Sequence, residues 1–130
     1  MKKVKWLERS LITGGHLALV TTQKEYEAAL KDLKLESNGS SFCPTGFQAC
    51  THTFTNVNGS IACIVGFDMN DAVGRDPMDV AALLVHEAVH VWQEVEAASG
   101  KMGCFGTEGE AYFIQSISAQ LMYAYKEKLK

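Results

Sequence analysis

No stretch of this 130-residue sequence approaches the roughly 18 uninterrupted apolar residues that a membrane-crossing helix needs. A membrane-spanning role is therefore not expected. Positive charge opens the chain, but Glu8 and Arg9 break any apolar segment behind it, and Thr13-Gly14-Gly15-His16 breaks the next. A secretory signal of ordinary form is thereby not expected, and a cytoplasmic protein is the expectation. Basic residues are also scarce. Lys and Arg number 12 against 15 Asp and Glu, a net charge of -3, where a nucleic-acid-binding domain carries a basic stripe or patch. The lysine clusters at residues 2–5 and 126–130 read as solvated ends. The four cysteines, Cys43, Cys50, Cys63 and Cys104, include no C-x-x-C pair. Free thiols are the leading reading without an export signal. A disulfide is one alternative; a second zinc site from Cys43, Cys50, His52 and Cys63 is another, at a spacing that fits no standard knuckle. No internal repeat or low-complexity segment is present.

What is there suffices for a single domain over residues 1–130. Hydrophobic residues make up 47% and charged residues 21%, the balance of an ordinary globular core. Leu17-Ala18-Leu19-Val20 reads as a short strand after a Gly14-Gly15 turn. Thr22 reads as an N-cap, with Glu25 completing a capping box, for a helix from Gln23 to about Leu33. Between Ala49 and Phe67 the period changes to two: Thr51, Thr53 and Thr55 alternate with His52 and Phe54. Asn56-Val57-Asn58-Gly59 is a turn, and Ile61, Cys63 and Val65 alternate on the return, which together make a β-hairpin. Asp76 as N-cap and Pro77 at the first helical position open a long helix that runs to about Ala98 and stops at Ser99-Gly100. Its apolar residues cover most of the circumference, so a buried helix is expected. A Gly-rich loop leads to a last helix from about Glu108 to Lys126. The fold class is α+β: a small antiparallel sheet or hairpin packed on the buried helix, with an antiparallel C-terminal helix.

Inside the long helix stands His86-Glu87-Ala88-Val89-His90, an H-E-x-x-H. Residues four apart on a helix lie nearly above one another, so His86 and His90 can offer nitrogens to one ion. Glu87, roughly 100° further round, can polarise a water without being a ligand. A Zn²⁺ held by two His and one carboxylate keeps a position open, and its water loses a proton near neutral pH. That is the requirement for hydrolysing a peptide bond. The third ligand has two candidates, Glu108 and Glu110, which point about 200° apart on a helix and cannot both bind.

The pair H-E-x-x-H and Glu108-Gly109-Glu110-Ala111-Tyr112 resembles the gluzincin peptidases, the clan containing thermolysin. The resemblance implies Glu108 as ligand, with Ala111 in the small-residue slot. His86 to Gln93 together with Glu110 to Gln115 also resembles small phage- or prophage-type metallopeptidase domains. The likeness covers about the C-terminal 55 residues. Thermolysin-like enzymes carry an Asp four residues after the ligand Glu, where this chain has Tyr112. A phenol in that slot can accept a bond from a ligand imidazole or donate to an oxyanion.

The expectation is therefore a minimal zincin-like zinc metallopeptidase with His86, His90 and Glu108 as ligands and Glu87 as general base. Tyr112, or His52 in the hairpin, is the oxyanion donor, and the partner is a peptide or protein substrate. Gln93 and Gln115 lie on the faces of the expected ligands and could support them. The alternative is a catalytically inactive, zinc-stabilised binding module, closed by an extra ligand such as Cys104. A hydrolase acting on cell-wall amides shares the metal chemistry but relies on a different ligand pattern.

Overall fold

Side chains that satisfy orphan helix amides set where two of the helices begin. Asp76 Oδ1 accepts from Met78 N at 2.8 Å, and Pro77, which has no N–H to lose, takes the first helical position. Thr22 Oγ1 accepts from Glu25 N at 3.1 Å. The Glu25 carboxylate returns one residue further back than a capping box would place it, accepting from Thr21 N at 2.8 Å and Thr21 Oγ1 at 2.9 Å. The computed structural model describes residues 4–7, 16–55, 60–72, 74–100 and 103–130. Along it run β1 (His16–Val20), α1 (Gln23–Asp32), β2 (Ala49–Thr55), β3 (Ile61–Phe67), α2 (Met69–Ala72), α3 (Pro77–Ser99) and α4 (Gly106–Lys128). The turns read at Gly14-Gly15 and Asn56–Gly59 lie outside the described residues, as do Lys2, Lys3, Glu8 and Arg9.

The hairpin forms as its alternation dictates, with β2 and β3 antiparallel and Thr51 opposite Val65. The sheet as a whole is mixed rather than antiparallel. β1 joins the far side of β3 in parallel, giving the order β1-β3-β2. β3 is the central strand and is buried along its whole length, so it reads as a near-continuous apolar run. Its Ile61, Cys63, Val65 and Phe67 pack with Val80, Leu84, Ala88 and Val91 of α3 and Ile117 and Leu121 of α4. On the other face Ile64 packs with Tyr26, Ala29 and Leu30 of α1. The layers are thus α1, then the sheet, then α3 and α4 side by side.

Gly66 allows the segment before β2 to cross the α1 face. A Cβ there would stand 1.9 Å from Phe42 O, a contact no side chain can make without moving backbone. At the far end of α3, Gly100 takes φ 70° and its N–H bonds Ala97 O at 3.2 Å, the left-handed stop that glycine adopts without strain.

α3 is not buried all round. Val80, Leu84, Glu87, Ala88, Val91 and Trp92 are its buried residues, whereas His86, His90 and Gln93 are exposed. The apolar residues expected to complete the circumference, Leu83, Val85, Val89 and Val95, are only half-buried, because the sheet and α4 cover two sides and solvent meets the rest. No described helix is long and apolar enough to cross a membrane.

Candidate metal centre

The two imidazoles of the H-E-x-x-H turn meet at their outer nitrogens. His86 Nε2 and His90 Nε2 stand 3.2 Å apart, and the rings cross at 82°. Together with a Glu87 oxygen, their possible ligand atoms all lie within 4.8 Å of one another, and among the described residues no other such group occurs. Two nitrogens each ~2.0–2.1 Å from one tetrahedral ion stand about 3.3 Å apart, so this spacing fits a shared cation. The donor set of two imidazoles and a carboxylate suits a borderline divalent metal such as zinc.

His90 is held in one orientation. Its Nδ1–H donates to Gln93 Oε1 at 3.1 Å, which fixes the tautomer and leaves the lone pair on Nε2. His86 Nε2 then donates to His90 Nε2, and taking a cation requires His86 to move that proton to Nδ1. Gln93, read from its helical face as a surface residue or a possible support, bonds His90.

Glu87 is only 3% exposed. It is brought into place by the sheet: Thr51 Oγ1 on β2 donates to Glu87 Oε1 at 2.9 Å. Ser118 Oγ is the sole buried side-chain atom without a partner among the described residues. The second Glu87 oxygen, which bonds no described protein group, is thus the part of the carboxylate that solvent reaches. Thr51 was not singled out from the sequence. The signal was present in the period-two alternation, which turns Thr51, Thr53 and Thr55 to the face that receives α3.

The same alternation removes His52 from the site. It faces α1, with its ring 4.8 Å from that of Tyr26, and its Nε2–H donates to Phe42 O at 2.8 Å. His52 is thus a plain strand residue rather than the alternative oxyanion donor, because one residue's step along a strand changes the face. Cys50, beside the site on β2, has its thiol pushed up by burial and then by the Glu87 charge. The Cys63 thiol is pushed up to about 11, chiefly by burial. Both are protonated near neutral pH and offer no nucleophile. None of the four cysteines forms a disulfide, and the second zinc site considered for Cys43, Cys50, His52 and Cys63 does not form.

The expected third ligand is not brought to the histidines. α4 packs on the flank of α3 that carries Trp92, whose ring lies 4.9 Å from Phe113 and 5.3 Å from Phe105. His86 and His90 lie about 120–160° round α3 from Trp92. Glu108 is exposed in the first turn of α4, and Glu110 lines a groove with Val85 between the two helices. Neither belongs to the His86–Glu87–His90 group. Tyr112 stands 66% exposed on α4, and Cys104 is exposed in the turn before α4. Gln115 lines the same groove as Glu110.

β2 is an edge strand. Asp68 N bonds Gln48 O at 3.1 Å, and hydrogen-bonded pairs alternate along an antiparallel ladder. Carrying the register forward, Cys50, His52 and Phe54 exchange bonds with β3. Thr51 and Thr53 turn their N–H and C=O outward, and among the described residues no strand pairs with them. The other edge is different, since Leu7 N bonds Leu17 O of β1 at 2.7 Å. Comparison with protein-family models, curated proteins and solved structures finds no match to this chain.

Proposed function

We propose that the chain is a zinc-dependent peptidase in which His86 and His90 hold the metal and Glu87 is the general base. The observation that carries this reading is the 3.2 Å approach of the two Nε2 atoms beside a buried carboxylate. When bound, a divalent ion supplies Lewis acidity, polarising a peptide carbonyl and lowering the pKa of nearby water. Glu87, anchored through Oε1 by Thr51, takes the proton of the attacking water on its solvent-facing oxygen and returns it to the leaving amine. Gln93 keeps His90 in the ligating tautomer. An extended peptide adds to the outward backbone of Thr51 and Thr53, which lays its amide beside Glu87.

A metal-stabilised binding module is the competing reading. Structural zinc sites are closed by four protein ligands, whereas catalytic ones keep a position open. Two exposed histidines as ligands, with Glu87 kept as the base, leave positions open, which favours catalysis. Zinc per chain by elemental analysis is the first test. The expected result is one zinc for the wild type, none for His90→Ala, and one for Glu87→Gln with peptide turnover lost by about 10²–10⁴-fold. Glu87→Gln with unchanged turnover sinks the peptidase reading. Glu108→Ala bears on the ligand that the gluzincin resemblance implies: retained zinc matches its place outside the group, and lost zinc restores it as ligand.

A further inference from the structure

Glu94 lies seven residues after Glu87 on α3, two turns on and within about 20° of the same direction. Glu87 marks where that direction points, because it bonds Thr51 on β2. β3 ends at Phe67 opposite Ala49 of β2 and α3 starts soon after at Pro77, so α3 runs back over β2 from the Ala49 end toward Thr53. Cys63 sits directly across from Thr53 in the β2–β3 register. The Cys63 thiol, raised chiefly by burial and eased by its bond to Thr53, is raised further by the negative charge of Glu94. Glu94 is exposed, so it stands over the bare edge of β2 rather than inside the core.

A peptide paired antiparallel with β2 places alternate side chains on the α3 face. The residue opposite Thr51 lies beneath Glu87, and the residue two positions before it lies opposite Thr53, facing Glu94. We infer that Glu94 is a specificity-determining residue that selects a lysine or arginine two positions before the peptide residue facing Thr51. The inference rests on the peptide-cleft reading above and adds the class of substrate. Charge complementarity supports it, since the carboxylates of Glu87 and Glu94 both face this edge. A single exposed pair gives a modest preference, on the order of five-fold, that fades as salt screens it.

The test uses the full chain carrying Glu87→Gln, with zinc present, and fluorescein-labelled ten-residue peptides of Ala, Ser and Thr with one central Lys, Gln or Glu. Fluorescence anisotropy at low salt should give the order Lys, Gln, Glu, with about five-fold between the extremes. Adding Glu94→Gln should level the series, and Glu94→Lys should invert it. No binding, equal binding of the Lys and Glu peptides, or a Lys preference that survives Glu94→Lys would overturn the inference. Cleavage by the zinc-loaded wild type separates the two readings. A Glu94-dependent Lys preference without cleavage keeps the subsite and removes the peptidase. Cleavage indifferent to the charge at that position keeps the peptidase and removes the subsite.

Discussion

The two flanks of α3 are built from the same helix and put to opposite uses. On one, Trp92 is 3% exposed and closes against Phe113 and Phe105, so its aromatic surface leaves water and is spent on holding α4. On the other, His86, His90 and Gln93 stand in solvent above a strand edge with no partner among the described residues. Only Glu87 is drawn inward, and it is drawn by a threonine hydroxyl rather than by a cation. A carboxylate buried without a neutralising partner costs stability unless something else meets it. The packed flank and the candidate metal site are thus separated by about half a turn of one helix, which makes the separation open to substitution.

The largest effects should fall one on each flank and should not exchange. Trp92→Ala removes a buried aromatic and should cost about 3–5 kcal/mol, read as a lowered urea midpoint of the metal-free chain. His90→Ala should abolish zinc binding yet move that midpoint by less than about 0.5 kcal/mol, since surface substitutions outside packed features change little. If His90→Ala unfolds the metal-free chain instead, the flanks are not separable and the outer one is structural. Gln93→Ala is a gentler probe of the same flank. Loss of the bond that orients His90 should weaken zinc affinity about 10–100-fold while leaving the metal-free fold intact. Competition with a chelator of known affinity measures it, and an unchanged affinity would mean that His90 needs no fixed tautomer.

How far the sequence foretold this arrangement follows from which signals are local. The caps at Thr22 and Asp76, the hairpin and the H-E-x-x-H turn depend on residues within a few positions of one another, and each formed as its spacing dictates. The parallel addition of β1 depends on α1 crossing one face of the sheet, and a five-residue strand carries no mark of its partner. The flank taken by α4 is set by Trp92, Phe113 and Phe105 coming together across two helices, a rotation that periodicity leaves free. The site residues on α3 were therefore legible. The expected α4 contributions, Glu108 and Tyr112, depended on that unread rotation. Thr51 lay between the two cases: its face was readable, but its partner on α3 was not.

A second carboxylate makes the smallest and most specific contrast with Glu87. Glu25 also takes a threonine hydroxyl, but adds the Thr21 N–H and an ion pair with Lys128 of α4. Burial pushes its carboxyl up, but the bonds from Lys128 and Thr21 outweigh that, and the carboxyl titrates below its ordinary value. A group whose folded pKa is depressed stabilises the fold above its unfolded pKa, and that contribution disappears as pH falls through the folded value. The loss should therefore begin near the ordinary value of 4.5 and continue below it. Both side chains are about 30% exposed, so screening keeps the contribution to about 0.5–1 kcal/mol. Urea midpoints of wild type and Glu25→Gln, followed from pH 7 to pH 3 (about four units across the carboxylate range), should differ at the neutral end and converge at the acid end. Parallel curves would show that Glu25 contributes no pH-dependent stability. A fully partnered carboxylate would then behave no differently from a replaceable amide, and the contrast with the open side of Glu87 would rest on hydrogen-bond count alone.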